Sequence, residues 1–258
     1  MTFLHQNIVS GTINSRRLGK SFGLNILPNN QKFCNFECIY CECGSASINY
    51  DSKNAKLLPT VQQIAIELEE GLKGLEPHEI IDSITFSGNG EPTINPDFAE
   101  IIDETIRLRN KYRPGTKISV LTNATTLNNP KVVAALHKIE MPILKIDSVF
   151  QQEFEIINGN KHLKINEIIN NIKNNFKSPI IQTIFLKAEN NGQIIDNTTS
   201  EQVEKYIEIM KFLSPQLIMI YSVSRDTAIK NIEKIALEKL QEIGTKIEKI
   251  GIKTLITQ

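Results

Sequence analysis

The chain has 258 residues and carries 29 basic and 29 acidic side chains, so its formal net charge is zero. This length suits one large α/β domain or two small ones and can bury a sizeable core without disulfides. The neutral balance argues against a dedicated nucleic-acid binder, which usually carries a basic excess. Because no apolar run reaches the roughly 18 residues of a membrane span, and residues 1–7 lack the pattern of a signal peptide, we expect a cytoplasmic protein without membrane contact.

Short β-branched segments alternate with amphipathic helical segments along the chain. The strands are predicted at 22–28, 83–86, 118–121, 143–146, 180–186, 217–221 and 252–256. The helices are predicted at 60–75, from 95 onwards, from 129 onwards, and at 165–176, 201–213 and 236–250. Residues suited to capping begin four of these helices, namely Thr60 (with Gln63 in a capping box), Asn95, Asn129 and Thr199.

The predicted strands show little polar alternation, which is typical of parallel strands covered on both faces. Strands alternating with helices indicate right-handed βαβ units, and about six such units can be counted, fewer than the eight of a complete barrel. We therefore predict the class α/β, with a partial (β/α)6 TIM-like barrel forming a single domain over 1–258. Its core is expected over about 20–225, with a helical and strand extension over about 226–258. Chemistry is then expected at the C-terminal ends of the strands.

All four cysteines lie between positions 34 and 43. In a cytosolic protein such a cluster indicates metal or redox chemistry and not disulfides. Cys34, Cys38 and Cys41 follow a C-x3-C-x2-C spacing, and thiolates suit both iron–sulfur clusters and zinc. A four-iron cubane takes four ligands. Three cysteines would leave one iron open to a substrate or cofactor, as a catalytic zinc keeps one position open.

Two other interpretations of the cysteines remain open. The four thiols could hold a structural zinc ion, although one residue between Cys41 and Cys43 is an awkward spacing for a tetrahedral site. They could also be unrelated buried cysteines. We expect Cys43 to be a small buried residue near the cluster and not a ligand.

A glycine turn, Gly88-Asn89-Gly90-Glu91, directly follows the predicted strand 83–86. Glycines let a backbone approach a ligand closely, and carbonyl groups together with the Glu91 carboxylate can accept hydrogen bonds from an ammonium group. Polar residues also end two later strands. They are Asn123, Lys145 and Asp147, and the alternative for each is an ordinary surface or capping residue.

The cysteine spacing, with Tyr40 just before the third cysteine, resembles the signature of the radical S-adenosylmethionine (SAM) superfamily. The glycine turn is similar to the turn that receives the amino group of SAM in that family. Other stretches add to the resemblance: Ser15–Ser21, Gly23–Pro28, Leu121–Asn123, Leu144–Asp147, Gln182–Phe185, Asp196–Thr198 and Tyr221–Arg225. Together they resemble the radical SAM proteins related to wyosine synthetases, over about Ile8 to Arg225.

The resemblance implies a barrel of the radical SAM type that holds a [4Fe-4S] cluster on Cys34, Cys38 and Cys41 and binds SAM. It also implies which residues contact SAM. The methionine part would lie at Gly88, Asn89, Gly90 and Glu91, the adenine near Tyr40, and the ribose at Lys145 and Asp147. Asn123 would contact SAM or the substrate. Lys145 is the candidate catalytic residue. Arg16 and Arg17 are expected to contact a substrate phosphate or carboxylate, or to cover the site.

The implied reaction is reductive cleavage of SAM to methionine and a 5′-deoxyadenosyl radical, which takes a hydrogen atom from an unidentified substrate. The implied partners are SAM, a reductant such as flavodoxin or ferredoxin, and a substrate that is a small molecule, an RNA or a protein. Three alternatives stay open. They are wyosine-synthetase-like modification of tRNA, activation of a glycyl-radical enzyme, and a non-catalytic metal-binding or sensor protein. The resemblance implies a second cluster for the tRNA reaction, held by cysteines before the main motif, and this sequence has no cysteine before Cys34.

Overall fold

The computed structural model describes residues 3–44, 54–76, 78–190, 192–224, 227, 229 and 231–257. The strands are β1 Val9–Ser15, β2 Gly19–Leu24, β3 Ser83–Phe86, β4 Lys117–Thr122, β5 Met141–Lys145, β6 Ile180–Ile184, β7 Leu186–Asn190, β8 Gln193–Asp196, β9 Leu217–Tyr221, β10 Ile232–Lys234 and β11 Thr254–Thr257. The helices are α1 Val61–Gly74, α2 Phe98–Tyr112, α3 Pro130–Leu136, α4 Gln151–Ile157, α5 Ile165–Asn175, α6 Ser200–Leu213 and α7 Leu237–Glu248. Short 3-10 turns lie at Ala55–Leu57 and Pro92–Ile94. None of the helices in these ranges is both long and apolar enough to cross a membrane.

Eight strands form one curled sheet in the order β1-β2-β3-β4-β5-β6-β9-β11. Every neighbouring pair from β2 to β11 is parallel, whereas β1 pairs antiparallel with β2 at one edge. Each step between parallel neighbours passes through at least one helix, which gives six strand–helix–strand crossovers. The predicted α/β partial barrel is therefore confirmed. A second, antiparallel sheet has the order β10-β7-β8.

The two faces of the large sheet differ in chemistry. The face covered by helices is apolar, and side chains such as Ile84 and Ile118 pack there with helical residues. On the inner face, Ser21 donates to Thr85 Oγ1 at 2.6 Å, and further hydroxyl contacts continue this polar row to Ser83 and Ser119. The opposite part of the inner face is apolar and contains Ile143, Ile180 and Met219 with Leu18 packed against them. The turn between β1 and β2 therefore reaches into the barrel.

The helix caps predicted at Thr60, Asn129 and Thr199 are confirmed. The cap predicted at Asn95 is wrong, because α2 begins only at Phe98. The Asn95 side chain instead donates to the carbonyl of Ile26 at 2.8 Å and accepts from the amide of Asp97 at 2.9 Å. It thereby fastens the chain after β2 to the chain after β3, a long-range contact that a local capping pattern does not reveal.

Other differences from the predicted elements have tertiary causes. The predicted strand 180–186 breaks at Phe185, whose amide donates to the carbonyl of Tyr221 at 2.8 Å. The chain then leaves the large sheet as β7, where the Asn197 side chain accepts from the amide of Leu186 at 2.8 Å. Strand β1 and helix α4 were not predicted. Arg225, the end of the last stretch in the family resemblance, lies outside the described residues.

Two glycines in α1 allow a matched test of how that helix packs on the barrel. A Cβ at Gly71 would lie 2.8 Å from Cζ of Phe22 and 3.1 Å from Val9, whereas one at Gly74 meets nothing within 4 Å. We expect Gly71→Ala to lower the free energy of unfolding by about 1–3 kcal/mol, because the Phe22 ring must move. Gly74→Ala should leave it unchanged or raise it by up to about 1 kcal/mol. Urea unfolding followed by circular dichroism measures both, and equal effects would contradict this packing.

Candidate active site

The cysteine loop follows β2 and is joined backbone to backbone with the glycine turn after β3. The Phe33 amide donates to the Asn89 carbonyl at 2.6 Å, and the Glu91 amide donates to the Phe33 carbonyl at 3.0 Å. Gly90 between them has a φ of +143°, and a Cβ there would lie 1.8 Å from the Phe33 carbonyl oxygen. Only glycine allows this approach, so the turn and the cysteine loop form one structural unit.

The other side of the cysteine loop rests on the C-terminal end of α4. The amides of Glu37 and Ile39 donate to the carbonyls of Asn158 and Ile157, at 2.9 Å each. Gly159 has a φ of +65°, and a Cβ there would lie 2.4 Å from the Glu37 carbonyl oxygen. The helix that sequence patterning missed is therefore a direct support of the loop.

All four thiols are free of disulfides, and Cys34 is buried. Two N–H groups point at cysteine sulfurs: the Phe36 amide lies 3.3 Å from Cys34 Sγ, and Asn158 Nδ2 lies 3.4 Å from Cys38 Sγ. Within the described ranges, no three His, Cys, Asp or Glu side chains converge on a position for a single metal ion. Free thiols on one fixed loop, two of them met by hydrogen-bond donors, fit the ligand set of an iron–sulfur cluster.

Lys32 is a buried cation beside the cysteine loop. Its Nζ donates to the Gly44 carbonyl at 3.0 Å and lies 3.5 Å from the Glu37 carboxylate. Burial alone would lower the pKa of Lys32, but the neighbouring cysteine sulfurs and Glu37 raise it above its ordinary value. The lysine therefore stays charged and places a positive charge next to the three thiols.

The four thiols have different acidities. Burial raises the pKa of Cys34 well above its ordinary value and that of Cys38 to about 11. Interaction with Cys43, helped by the positive charge of Lys32, lowers the pKa of Cys41 to about 6 despite burial. The same interaction raises the pKa of Cys43, whose Sγ donates to the Gly88 carbonyl at 3.8 Å. The expectation that Cys43 is buried is met only in part, because the residue is half-buried.

Glu91 is a buried carboxylate that links the ends of β3 and β4. It accepts hydrogen bonds from the hydroxyls of Thr93 at 2.5 Å and Thr122 at 2.7 Å, and from the amide of Asn123 at 2.6 Å. Burial raises the pKa of Glu91, although these bonds act in the opposite direction. Much of its acceptor capacity is therefore used in holding the turn.

The side chains of Asn89 and Asn123 also hold loops together. Asn89 donates to the carbonyls of His5 at 3.0 Å and Pro28 at 2.7 Å, and its oxygen accepts from the His5 amide at 2.8 Å. Asn123 donates to Asn35 Oδ1 in the cysteine loop at 2.7 Å. Sequence reasoning grouped both residues with ligand contacts, and in the structure their side-chain amides bind protein groups.

Lys145, at the end of β5, lies in an aromatic cage. Its Nζ donates to the Tyr221 hydroxyl at 2.5 Å, lies 3.1 Å from Asp147 Oδ1, and is 4.9 Å from the ring centroids of both Tyr40 and Tyr221. Burial lowers the pKa of Lys145, but Asp147 and Tyr221 raise it above its ordinary value. The side chain is therefore an ammonium at neutral pH, suited to orienting a ligand and not to accepting a proton.

Asp147 connects this cage to the cysteine loop. Its fully buried carboxylate accepts from the Tyr40 hydroxyl at 2.5 Å and from Asn158 Nδ2 at 2.8 Å. The same Asn158 nitrogen lies 3.4 Å from Cys38 Sγ, so one amide touches both a cysteine and the carboxylate. Burial raises the pKa of Tyr40 well above its ordinary value, which keeps its hydroxyl a donor. The structure thus brings Tyr40, Lys145 and Asp147 together.

Gln182, in β6, was not singled out as a site residue. It pairs in register with Lys145 and Met219 and faces the barrel interior with them. It is only 5% exposed, and its amide nitrogen has no hydrogen-bond partner among the residues that the structure describes. Gln182 and Tyr221 each begin a stretch that carries part of the family resemblance, but the sequence assigns neither of them a role. Asn158 and Lys32 have no comparable local pattern.

A double-mutant cycle tests the buried ion pair between Lys145 and Asp147. Asp147→Asn leaves the Lys145 ammonium without a negative partner, and Lys145→Met leaves the Asp147 carboxylate without a positive partner. Each should lower the free energy of unfolding by about 3–5 kcal/mol. The double variant should lose less than the sum by about 1–3 kcal/mol. Urea unfolding measures all four proteins, and additive effects would contradict the pairing.

The protein-family model of the radical SAM superfamily matches residues 30–197. A protein of Methanocaldococcus jannaschii named as a UPF0026 protein is 29% identical over 241 residues, covering 92% of this chain and 70% of that protein. A Brachyspira hyodysenteriae protein named GTPase Obg is 26% identical over 238 residues, covering 91% of this chain and 32% of its own length. This chain therefore spans only about a third of one of the curated relatives that it matches.

A solved structure of TYW1 with a lysine–pyruvate adduct bound has the same fold, with a TM-score of 0.60. It is 15% identical in sequence, and the match covers 89% of this chain and 73% of that one. The fold of a wyosine synthetase is thus among those that this barrel resembles. The family model covers well over half of the chain and includes the cysteine loop, the glycine turn, Lys145 and Asp147. The chain belongs to the radical SAM superfamily, whose enzymes use a [4Fe-4S] cluster and S-adenosylmethionine.

Proposed function

We propose that this protein cleaves SAM reductively and uses the resulting radical to remove a hydrogen atom from a substrate. The observation that carries the proposal is the joining of two loops: the loop with three free thiols is bonded to the glycine turn through Phe33 and Gly90. A cluster ligand set and a turn suited to an amino acid thereby share one edge of the barrel. A one-electron carrier such as flavodoxin or ferredoxin would supply the electron in the cytoplasm.

Cys34, Cys38 and Cys41 would hold the cluster and leave one iron for SAM. When bound and reduced, the cluster and SAM together supply the electron transfer and carbon–sulfur cleavage. The protein contributes orientation. The backbone of the turn Gly88–Glu91 would receive the methionine part of SAM, and Tyr40 with the Lys145–Asp147 pair would receive its nucleoside.

The three cysteines can be tested against a matched cysteine on the same loop. Mutation of Cys34, Cys38 or Cys41 to Ala should abolish the visible absorbance of the cluster after anaerobic reconstitution, because three thiolates are needed to hold it. Formation of 5′-deoxyadenosine from SAM under dithionite should also be lost. Absorbance, iron and sulfide analysis, and mass spectrometry of the nucleoside measure these effects.

Cys43→Ala is the control and should retain iron, sulfide and cluster absorbance. Loss of the cluster in this variant alone would contradict the assignment of ligands. Wild-type protein that binds zinc without iron and sulfide would favour the metal-binding alternative. A fully loaded protein that forms no 5′-deoxyadenosine would overturn the proposed reaction.

Lys32 should influence the cluster through its charge. Its buried ammonium lies beside the cysteine loop, and net charge near a cluster is one determinant of its reduction potential. We expect Lys32→Met to shift the potential to a more negative value, because a nearby positive charge favours the reduced cluster. Lys32→Arg keeps the charge and should stay closer to wild type. A redox titration followed by electron paramagnetic resonance measures both, and an unchanged potential in Lys32→Met would contradict this role.

A further inference from the structure

A cavity of about 740 Å³ lies between the β1–β2 hairpin and the glycine turn. Its described lining includes Arg16, Arg17, Thr85, Ser87, Gly88 and Cys43. Gly88 belongs to the glycine turn and Cys43 to the cysteine loop, so the cavity extends to the site at which the radical would be made. Its volume suits a small molecule, since ligand pockets are typically about 300–1,000 Å³.

Two consecutive arginines on the β1–β2 turn reach across the barrel to the end of β9. The Arg17 guanidinium carbon lies 4.4 Å from the ring centroid of Tyr221, and Arg16 Nη2 donates to the Ser224 hydroxyl at 2.6 Å. Leu18, the next residue, packs into the apolar part of the barrel interior. These contacts fix the turn from three sides: Arg17 and Leu18 are partly buried, and Arg16, which is exposed, is held by its hydrogen bond to Ser224.

The remaining polar groups at the cavity favour an anion. Among the described lining residues there is one carboxylate, that of Glu42, and there are two guanidinium groups, those of Arg16 and Arg17. Positive groups therefore outnumber negative ones on this lining. The hydroxyl side chains on the lining are Ser10, Ser15, Ser21, Thr85 and Ser87. Guanidinium groups match the oxygen geometry of phosphate, and each can donate two hydrogen bonds to it. Hydroxyl groups can supply further donors to a dianion with several acceptor oxygens.

Building on the proposed function, we propose that this cavity binds the substrate and that Arg16 and Arg17 hold a phosphate group on it. The substrate is then a small phosphorylated molecule whose reacting carbon lies toward Gly88 and Cys43. This assigns the β1–β2 turn to substrate recognition, separately from the loops that hold the cluster and SAM.

Inorganic phosphate is the probe for this subsite. The reconstituted protein is heated in the presence of SAM with increasing phosphate, against sodium chloride of equal ionic strength. We expect phosphate to raise the melting temperature by about 3–6 °C at ten times its dissociation constant. The double variant Arg16→Gln/Arg17→Gln should lose this shift. Arg107→Gln is the matched control, because it removes one exposed arginine from α2, where Arg107 pairs with Glu104, and it should keep the full shift.

The outcomes separate the subsite from the reaction. Absence of a phosphate shift in the wild type, or an equal shift in the double variant, would overturn the subsite. A larger shift with acetate than with phosphate would indicate a carboxylate and overturn the phosphate assignment. Should the double variant fail to fold, Arg17→Lys keeps the charge without the paired donors and is expected to show a smaller shift. If the wild-type protein forms 5′-deoxyadenosine but phosphate does not raise its melting temperature, only the phosphate subsite is overturned. If phosphate raises the melting temperature but no 5′-deoxyadenosine forms, the proposed reaction is overturned.

Discussion

The close approach of Phe33 and Gly90 is the constraint on which the site depends. Two backbones meet there with reciprocal hydrogen bonds at 2.6 and 3.0 Å across the turn, and the space between them has no room for a Cβ. The loop after β2 therefore cannot move independently of the turn after β3. Since parallel strands place their carboxyl ends at one edge of the barrel, this one contact sets how far the thiols lie from any ligand in the turn.

A second set of contacts brings in the opposite half of the barrel. Asn158 lies between Cys38 and Asp147, and Asp147 in turn pairs with Lys145. A change at the cysteine loop is thereby felt at β5, about a hundred residues further along the chain. Buried polar networks of this kind are stable only when every member is satisfied. The free-energy cost of burying these polar groups is offset by hydrogen bonds with donors and acceptors from several loops. These bonds give the site a defined geometry before any ligand binds.

The sequence predicted what depends on local patterns and missed what depends on distant partners. Strand and helix alternation, three of the four caps, and the cysteine and glycine loops could all be identified from spacing and composition. Asn95 satisfies a capping pattern, but it binds Ile26 instead, and nothing local distinguishes these two uses. Helix α4 is short, with seven residues, and gives little periodicity. Lys32 and Asn158 became site residues only once the fold placed them beside the cysteines.

The division of labour among the loops follows from the same geometry. Loops after β2, β3 and β5 are tied to one another by buried hydrogen bonds, so substitutions there disturb the positions of several groups at once. The β1–β2 turn, in contrast, meets the rest of the site through side-chain contacts of Arg16, Arg17 and Leu18. Those residues can change without altering the backbone that holds the thiols. If Arg16 and Arg17 bind the substrate as proposed, a barrel built in this way can keep the loops that hold the thiols and change its substrate through the β1–β2 turn.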